Sequence, residues 1–426
     1  MSTVLQELFG IAPETEQLIT AAEAALSEPF GRCAHLEALN QYRVLGAFRK
    51  HRLSDMHFNW NTGYGYNDAG REVTEAIFAE VFGAESAIVR PLIVNGTHAL
   101  TLCLTGVLRP GDQLLSVTGK PYDTLDNVIG IRDEYGSALS GYGITYKQVE
   151  LLPEGGFDLP AIERSLEPKT RMVYIQRSAG YSWRKSLSIV AIEALIQAVR
   201  QVAPQVVVMV DNCYGEFLED REPTHVGADL MAGSLIKNPG GGLALSGGYI
   251  VGREALVEQV SWRMTSPGIG RECGLTFGQT RTVLQGLFLA PTVTMAAVRN
   301  AMLCGQVFKN LGYRVCPEPE DLRSDIIQAV ELGSAEGVIA FCQGIQAAAP
   351  VDAHVTPEPW EMPGYADPVI MAAGAFVQGS SIELSADAPI RPPYIAYFQG
   401  GLTTAHGRLG VMKAVQTLAD RGLLKV

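Results

Sequence analysis

The run Val206-Val207-Val208-Met209-Val210-Asp211-Asn212 decides the architecture. Five consecutive apolar residues end abruptly in an acid and an amide. A strand without polar alternation has both faces buried, which is the habit of a parallel sheet covered by helices. Ligands of such sheets gather at the carboxyl ends of the strands, where this reading puts Asp211. A carboxylate there needs a cationic partner or good hydrogen bonds to offset its lost hydration.

Outward on the C-terminal side lies Ser234-Leu235-Ile236-Lys237-Asn238-Pro239-Gly240-Gly241-Gly242. Lys237 follows a short apolar run and precedes three glycines. Three residues without Cβ let the backbone come close to a bound group and adopt positive φ. An amine partly withdrawn from water has a lowered pKa and becomes a nucleophile toward carbonyls. By itself the segment fits a solvated lysine beside a loop equally well. The acid at the end of the buried strand tips the reading toward a reactive site.

On the N-terminal side, strands are expected at Ala87–Val89, Leu114–Val117, Ile144–Tyr146 and Met172–Ile175. Helices are expected at 73–81, 99–108 and 188–202, and Asp158 is placed to cap another. Strands alternating with helices predict an α/β fold with a mostly parallel sheet. Asn95-Gly96-Thr97-His98 enters the 99–108 helix, and a Gly-Thr turn there offers unpaired N–H groups to a phosphate. An ordinary helix cap gives the same sequence, so Asp211 and Lys237 again decide.

Five segments carry a resemblance when taken together. They are Asn95 to Leu100, Gly119-Lys120-Pro121-Tyr122-Asp123-Thr124-Leu125, Val210 to Phe217, Ser234 to Gly241 and Ser381-Ile382-Glu383-Leu384-Ser385-Ala386-Asp387. In that order they resemble the methionine γ-lyase-like, aluminium resistance protein branch of the Cys/Met-metabolism enzymes, over nearly the whole chain. The resemblance implies a fold-type-I, pyridoxal-phosphate-dependent transferase-like fold with a smaller C-terminal α+β domain. It implies pyridoxal 5'-phosphate carried by Lys237, with Asp211 keeping the pyridine nitrogen protonated. Gly96, Thr97, His98 and Ser234 then belong to the cofactor's binding residues, His98 through its backbone. Tyr122 stacks on the ring and assists departure of a thiol. Arg177 or Ser178 is a candidate for the ring hydroxyl. One departure stands out: these enzymes commonly have Thr just before the lysine, where this chain has Ile236, so one phosphate contact is missing or replaced.

Residues 55 to 71 form a loop rich in glycine, asparagine and aromatic side chains. In the Cys/Met enzymes a Tyr-x-Arg segment here binds the cofactor phosphate of the adjacent subunit. Tyr64-Gly65-Tyr66 lacks that arginine, and Arg71 is the nearest substitute. The resemblance thus implies a homodimer or homotetramer with shared active sites, to which Tyr64 contributes. Toward the C-terminus, Arg391 in Ala388-Pro389-Ile390-Arg391-Pro392-Pro393 is the candidate for a substrate's α-carboxylate. Prolines stiffen its turn, and bidentate pairing with a carboxylate suits arginine.

The expected divisions are a helical arm at 1–60, a cofactor-binding domain at 61–310 and a small domain at 311–426. The small domain's strands are expected at Ile326–Val330, Val369–Ala372, Ser381–Leu384 and Tyr394–Phe398, before a closing helix at 402–424. Val351 to Asp367, with Pro357, Pro359 and Pro363 inside it, is expected to be loop.

Among 426 residues, 47% are hydrophobic and 18% charged, enough for a large core and against disorder. The net charge of −12 argues against nucleic acid or an anionic membrane as partner. Seven scattered cysteines, with no C-x-x-C pair, suit a reducing cytoplasm and no metal site. No signal peptide or transmembrane stretch is expected. The function expected is carbon–sulfur elimination on a sulfur-containing amino acid, a choice resting on the resemblance. Transamination or side-chain replacement begins in the same way, and a non-catalytic metal-tolerance protein keeping the fold is the rival from another class.

Overall fold

The computed structural model describes residues 2–153, 155–362 and 367–424. Seven strands make the larger sheet: β1 (Ser86–Arg90), β2 (Gln113–Ser116), β3 (Thr145–Gln148), β4 (Thr170–Gln176), β5 (Val207–Asp211), β6 (Leu230–Ser234) and β7 (Gly248–Gly252). Their order is β1-β7-β6-β5-β4-β2-β3. Only β7 runs against its neighbours, so the sheet is mostly parallel as expected.

Period-two alternation sorts the strand side chains into two cores. Met172, Tyr174, Val207, Met209, Leu230 and Ala232 face the helices Gly96–Val107 and Glu254–Met264. Val173, Ile175, Val208 and Val210 face Leu159–Ser165 and Ile189–Val202. Asp211 has the parity of Val207 and Met209, so its side chain belongs to the face of the Gly96–Val107 helix. That helix crosses Glu254–Met264 at Gly106, where a Cβ would stand 2.9 Å from the Val260 Cα.

Strand β6 escapes the sequence pattern because it is built from small residues. Gly233 is required there, since a Cβ would lie 2.8 Å from the Tyr249 hydroxyl and 2.9 Å from Glu216 Oε1. The contacts group this sheet into a unit of Asn40–Ser178 and Ser186–Phe288.

The other unit comprises Met1–Leu39, Ala179–Lys185 and Leu289–Val426. The expected segments were contiguous, whereas these units interleave along the chain. Its antiparallel sheet has β8 (Arg314–Cys316), β9 (Ile327–Glu331), β10 (Val369–Ala372), β11 (Ser385–Pro389) and β12 (Ile395–Gln399), in the order β10-β11-β12-β9-β8. The strand expected at Ser381–Leu384 begins instead at Ser385. The Glu383 carboxylate accepts the N–H groups of Phe376 at 2.8 Å and Val377 at 2.9 Å, which holds those residues in a turn. The helix Thr280–Asn310 is long and apolar enough to cross a membrane by length and composition, and 78% of its most apolar window is buried in the protein.

Candidate active site

The carboxyl ends of β5 and β6 bring the candidate residues together. Asp211 lies opposite Ala232 in the ladder, and Ser234 follows two residues on, on the same face. Gly96, at the start of its helix, closes on both strand ends. A Cβ there would be 3.3 Å from Cys213 Sγ and 3.4 Å from Ser234 Cβ. Asn95 caps that helix by accepting the His98 N–H at 2.8 Å. The first-turn amides of such a helix have no partner within it and point at this space. The His98 ring accepts the Val94 N–H at Nδ1 (3.2 Å), so the imidazole closes the preceding turn.

Asp211 is buried and held at both oxygens. Oδ1 accepts the Cys213 N–H at 3.0 Å, and Oδ2 accepts the Tyr174 hydroxyl at 3.2 Å. Burial raises its pKa above the usual carboxylate range, against the pull of Lys237. A buried acid in that condition is fitted to a cation, and a protonated pyridine nitrogen is one. Tyr174 was not read from the sequence as a site residue. Period-two alternation along β4, together with its pairing to β5, is the signal that puts it beside Asp211.

Lys237 is partly buried, and its Nζ stands over the Tyr214 ring, 3.9 Å from the centroid. Desolvation pulls its pKa down, as expected. Cys213, Tyr214, Asp211 and Glu216 together outweigh it, and the net shift is upward. The expectation of a lowered pKa is therefore corrected: in the protein by itself the site is acidic and favours the ammonium. The glycine triplet is also reassigned. A Cβ on Gly240 would overlap the Leu235 carbonyl, and Gly241 needs φ +51°, so these residues let the lysine turn fold on itself. The Ser234 hydroxyl accepts the Ile236 N–H at 3.3 Å and still has its own proton to donate.

Tyr122 is half-buried at the start of the turn Asp123–Leu125. The hydroxyls of Thr97 and Thr124, 2.8 Å apart, tie that turn to the helix start. Thr124 has no sequence signal beyond its place in the motif.

Arg177 does not serve a ring hydroxyl. Its side chain is fully buried and donates to Asn212 Oδ1 (2.8 Å), the Gly215 carbonyl (2.7 Å), Glu219 Oε1 (2.8 Å) and the Leu187 carbonyl (3.2 Å). It shapes the turn after Asp211, where Tyr214 takes the unusual φ of +72° that sets its ring under Lys237.

Tyr64 is 73% exposed, and its carbonyl accepts the Gly274 N–H at 2.9 Å. Arg71, by contrast, is buried. It donates to the carbonyls of Gly65 (2.6 Å), Gly274 (3.2 Å) and Glu272 (3.0 Å). It anchors the aromatic loop and is not presented for a phosphate. Arg391 belongs to the other unit. There it pairs with Asp367 at 2.8 Å and lines a pocket of about 390 Å³ with Tyr181, Trp183, Arg314 and Tyr397.

These features, a mostly parallel sheet with an acid and a lysine at its carboxyl edge beside a helix start, define a fold-type-I pyridoxal-phosphate enzyme fold. The chain belongs to the methionine gamma-lyase family, whose model matches residues 15–419. It is 52% identical to the uncharacterized protein YnbB of Bacillus subtilis (strain 168), over 90% of this chain and 92% of that one. It is 28% identical to the L-methionine gamma-lyase of Pseudomonas putida, over 44% of this chain and 41% of that one. The solved structure of a carbon-sulfur lyase involved in aluminum resistance from Clostridium novyi NT superposes with a TM-score of 0.94 at 47% identity, covering 97% of this chain and 98% of that one. The family is one of pyridoxal-phosphate-dependent lyases.

Proposed function

We propose that this protein is a pyridoxal-phosphate-dependent carbon–sulfur lyase, which converts a sulfur-containing amino acid and water into a 2-oxo acid, ammonia and a thiol. The observation that carries this reading is Asp211 and Lys237 at the ends of adjacent strands, beside the helix start at Gly96. Pyridoxal 5'-phosphate bound there supplies an electron sink that makes the α-proton of an amino acid removable. Lys237 would hold the cofactor and, as a free amine, would accept that α-proton at Nζ. Asp211 keeps the ring nitrogen protonated, its carboxylate oriented by Tyr174 and the Cys213 N–H. The amides at Gly96 and Thr97, with the Ser234 hydroxyl, bind the phosphate; they stand in for the threonine that Ile236 replaces. Tyr122 donates a proton to the departing sulfur. Arg391 takes the substrate's α-carboxylate, which requires it to leave Asp367.

Tyr64 acts in the neighbouring subunit's site of a homodimer or homotetramer, which its exposure on a loop pinned by Arg71 supports. Mixing Lys237→Ala with Tyr64→Ala tests this. Hybrids regain activity when one of the two sites carries neither substitution, and verified exchange without recovery overturns the shared site. The seven cysteines are unpaired, which suits a reducing cytoplasm.

The reaction is tested by assaying a panel of sulfur amino acids for 2-oxo acid plus ammonia, with and without an acceptor thiol. Product that appears only with an acceptor would replace elimination by side-chain replacement.

A further inference from the structure

Five residues past Asp211, Glu216 is fully buried and makes no ion pair among the described residues. Its Oε1 accepts the Tyr249 hydroxyl at 2.6 Å, while Oε2 has no hydrogen-bond partner among the described residues. The Tyr249 ring is itself fixed, stacked on Phe82 with centroids 5.3 Å apart. The Glu216 backbone carbonyl accepts Asn238 Nδ2 at 3.1 Å, which ties the acid to the residue after Lys237. A buried carboxylate with few donors is costly even with Lys237 nearby to offset part of the charge, whereas a carboxylic acid in that place is not. The titratable groups facing it are Tyr249 from β7, Lys237 from the turn after β6, Cys213 from its own turn, and Glu222, which Arg177 already holds.

We propose that Glu216 is a positioning residue for Lys237 that works as a neutral acid. While Glu216 keeps its proton it adds no charge to the acidic surroundings of Lys237, and once it ionises it holds the lysine more firmly as an ammonium. Burial pushes the Glu216 carboxyl up to about 8, with the Tyr249 hydrogen bond opposing the rise. The change of form thus falls just above neutrality. This inference rests on Lys237 being the reactive amine of the proposed function.

The test uses the full-length, cofactor-free protein and trace acetic anhydride, with acetylation of Lys237 followed by peptide mapping. Glu216→Gln should match the wild type at about pH 6.5 and exceed it at least roughly threefold at about pH 9.5, half a pKa unit of coupling. Superimposable profiles overturn the proposal. Tyr249→Phe provides a second variant, should Glu216→Gln fail to fold. It removes the bond that favours the anion, so the alkaline break in the Lys237 profile should move to higher pH; an unmoved break overturns the proposal. Infrared spectroscopy of the same protein should show a carboxylic-acid band at neutral pH that Glu216→Gln lacks, and its absence from the wild type also overturns it. Borohydride trapping with pyridoxal 5'-phosphate separates the two readings. Diverging acetylation profiles without trapping at Lys237 support this inference while overturning the cofactor assignment.

Discussion

Two charged clusters flank the turn that follows β5, and they are finished to different degrees. On one side Arg177 is fully buried, with donors spent on Asn212, Gly215, Glu219 and Leu187. Its partner Glu222 has both oxygens occupied, Oε1 by the Phe217 N–H and Oε2 by Asn212 Nδ2. On the other side burial raises the pKa of Asp211, Lys237 rests on a tyrosine face, and Glu216 has an oxygen with no hydrogen-bond partner among the described residues. Both clusters meet the same cost of burying charge. The first meets it with complete hydrogen bonding and becomes scaffold. The second leaves capacity unspent, and unspent capacity in a buried site is where chemistry is done.

That contrast is open to attack by substitution. The largest effect belongs to Lys237→Ala, which should cut turnover by at least about 10³-fold while leaving the fold intact. Its urea midpoint should stay near that of the wild type. Arg177→Met should do the reverse kind of damage. It strands Glu222 and Glu219, so unfolding free energy should fall by about 3–5 kcal/mol in urea titration. A small loss would remove Arg177 from the scaffold.

Glu216 gives a pH signature. Its folded pKa of about 8 lies above its ordinary 4.5, so the folded state binds more protons than the unfolded chain between those values. Stability from this group is complete below 4.5 and is lost as pH rises through 8, with a slope of up to about 1.4 kcal/mol per pH unit. Thermal unfolding across that window should show the slope in the wild type and a flatter one in Glu216→Gln. The smallest effect is expected of Tyr174→Phe. It removes one of the two bonds to Asp211, which should cost about 1 kcal/mol, roughly fivefold in turnover. Unchanged turnover would leave the orientation of the acid to Cys213, whose N–H bonds its other oxygen.

Asp211, Lys237 and the α/β alternation were legible in the sequence because each is a local signal. A purely apolar strand reports two covered faces, and the acid that ends it reports a strand end. Gly96 and Thr97 were legible as a helix start for the same reason. Strand β6 was not, because Ala232 and Gly233 carry no β-propensity, and only the approach of Tyr249 and Glu216 explains the glycine.

What the tertiary structure alone decided is where each charge spends its bonds. Arg177 and Arg71 looked available in the sequence, and the fold buries both against backbone carbonyls. Tyr174 and Tyr249 were not read as site residues, and the fold aims their hydroxyls at Asp211 and Glu216. The lysine's pKa moves opposite to the local expectation, since desolvation acts on one residue while the opposing interactions come from Cys213, Tyr214, Asp211 and Glu216. Strand and helix propensities act over a few neighbours in the chain, so a sequence displays them. Hydrogen bonds and Coulomb fields act through space, and their partners are fixed only when the sheet order brings distant segments together.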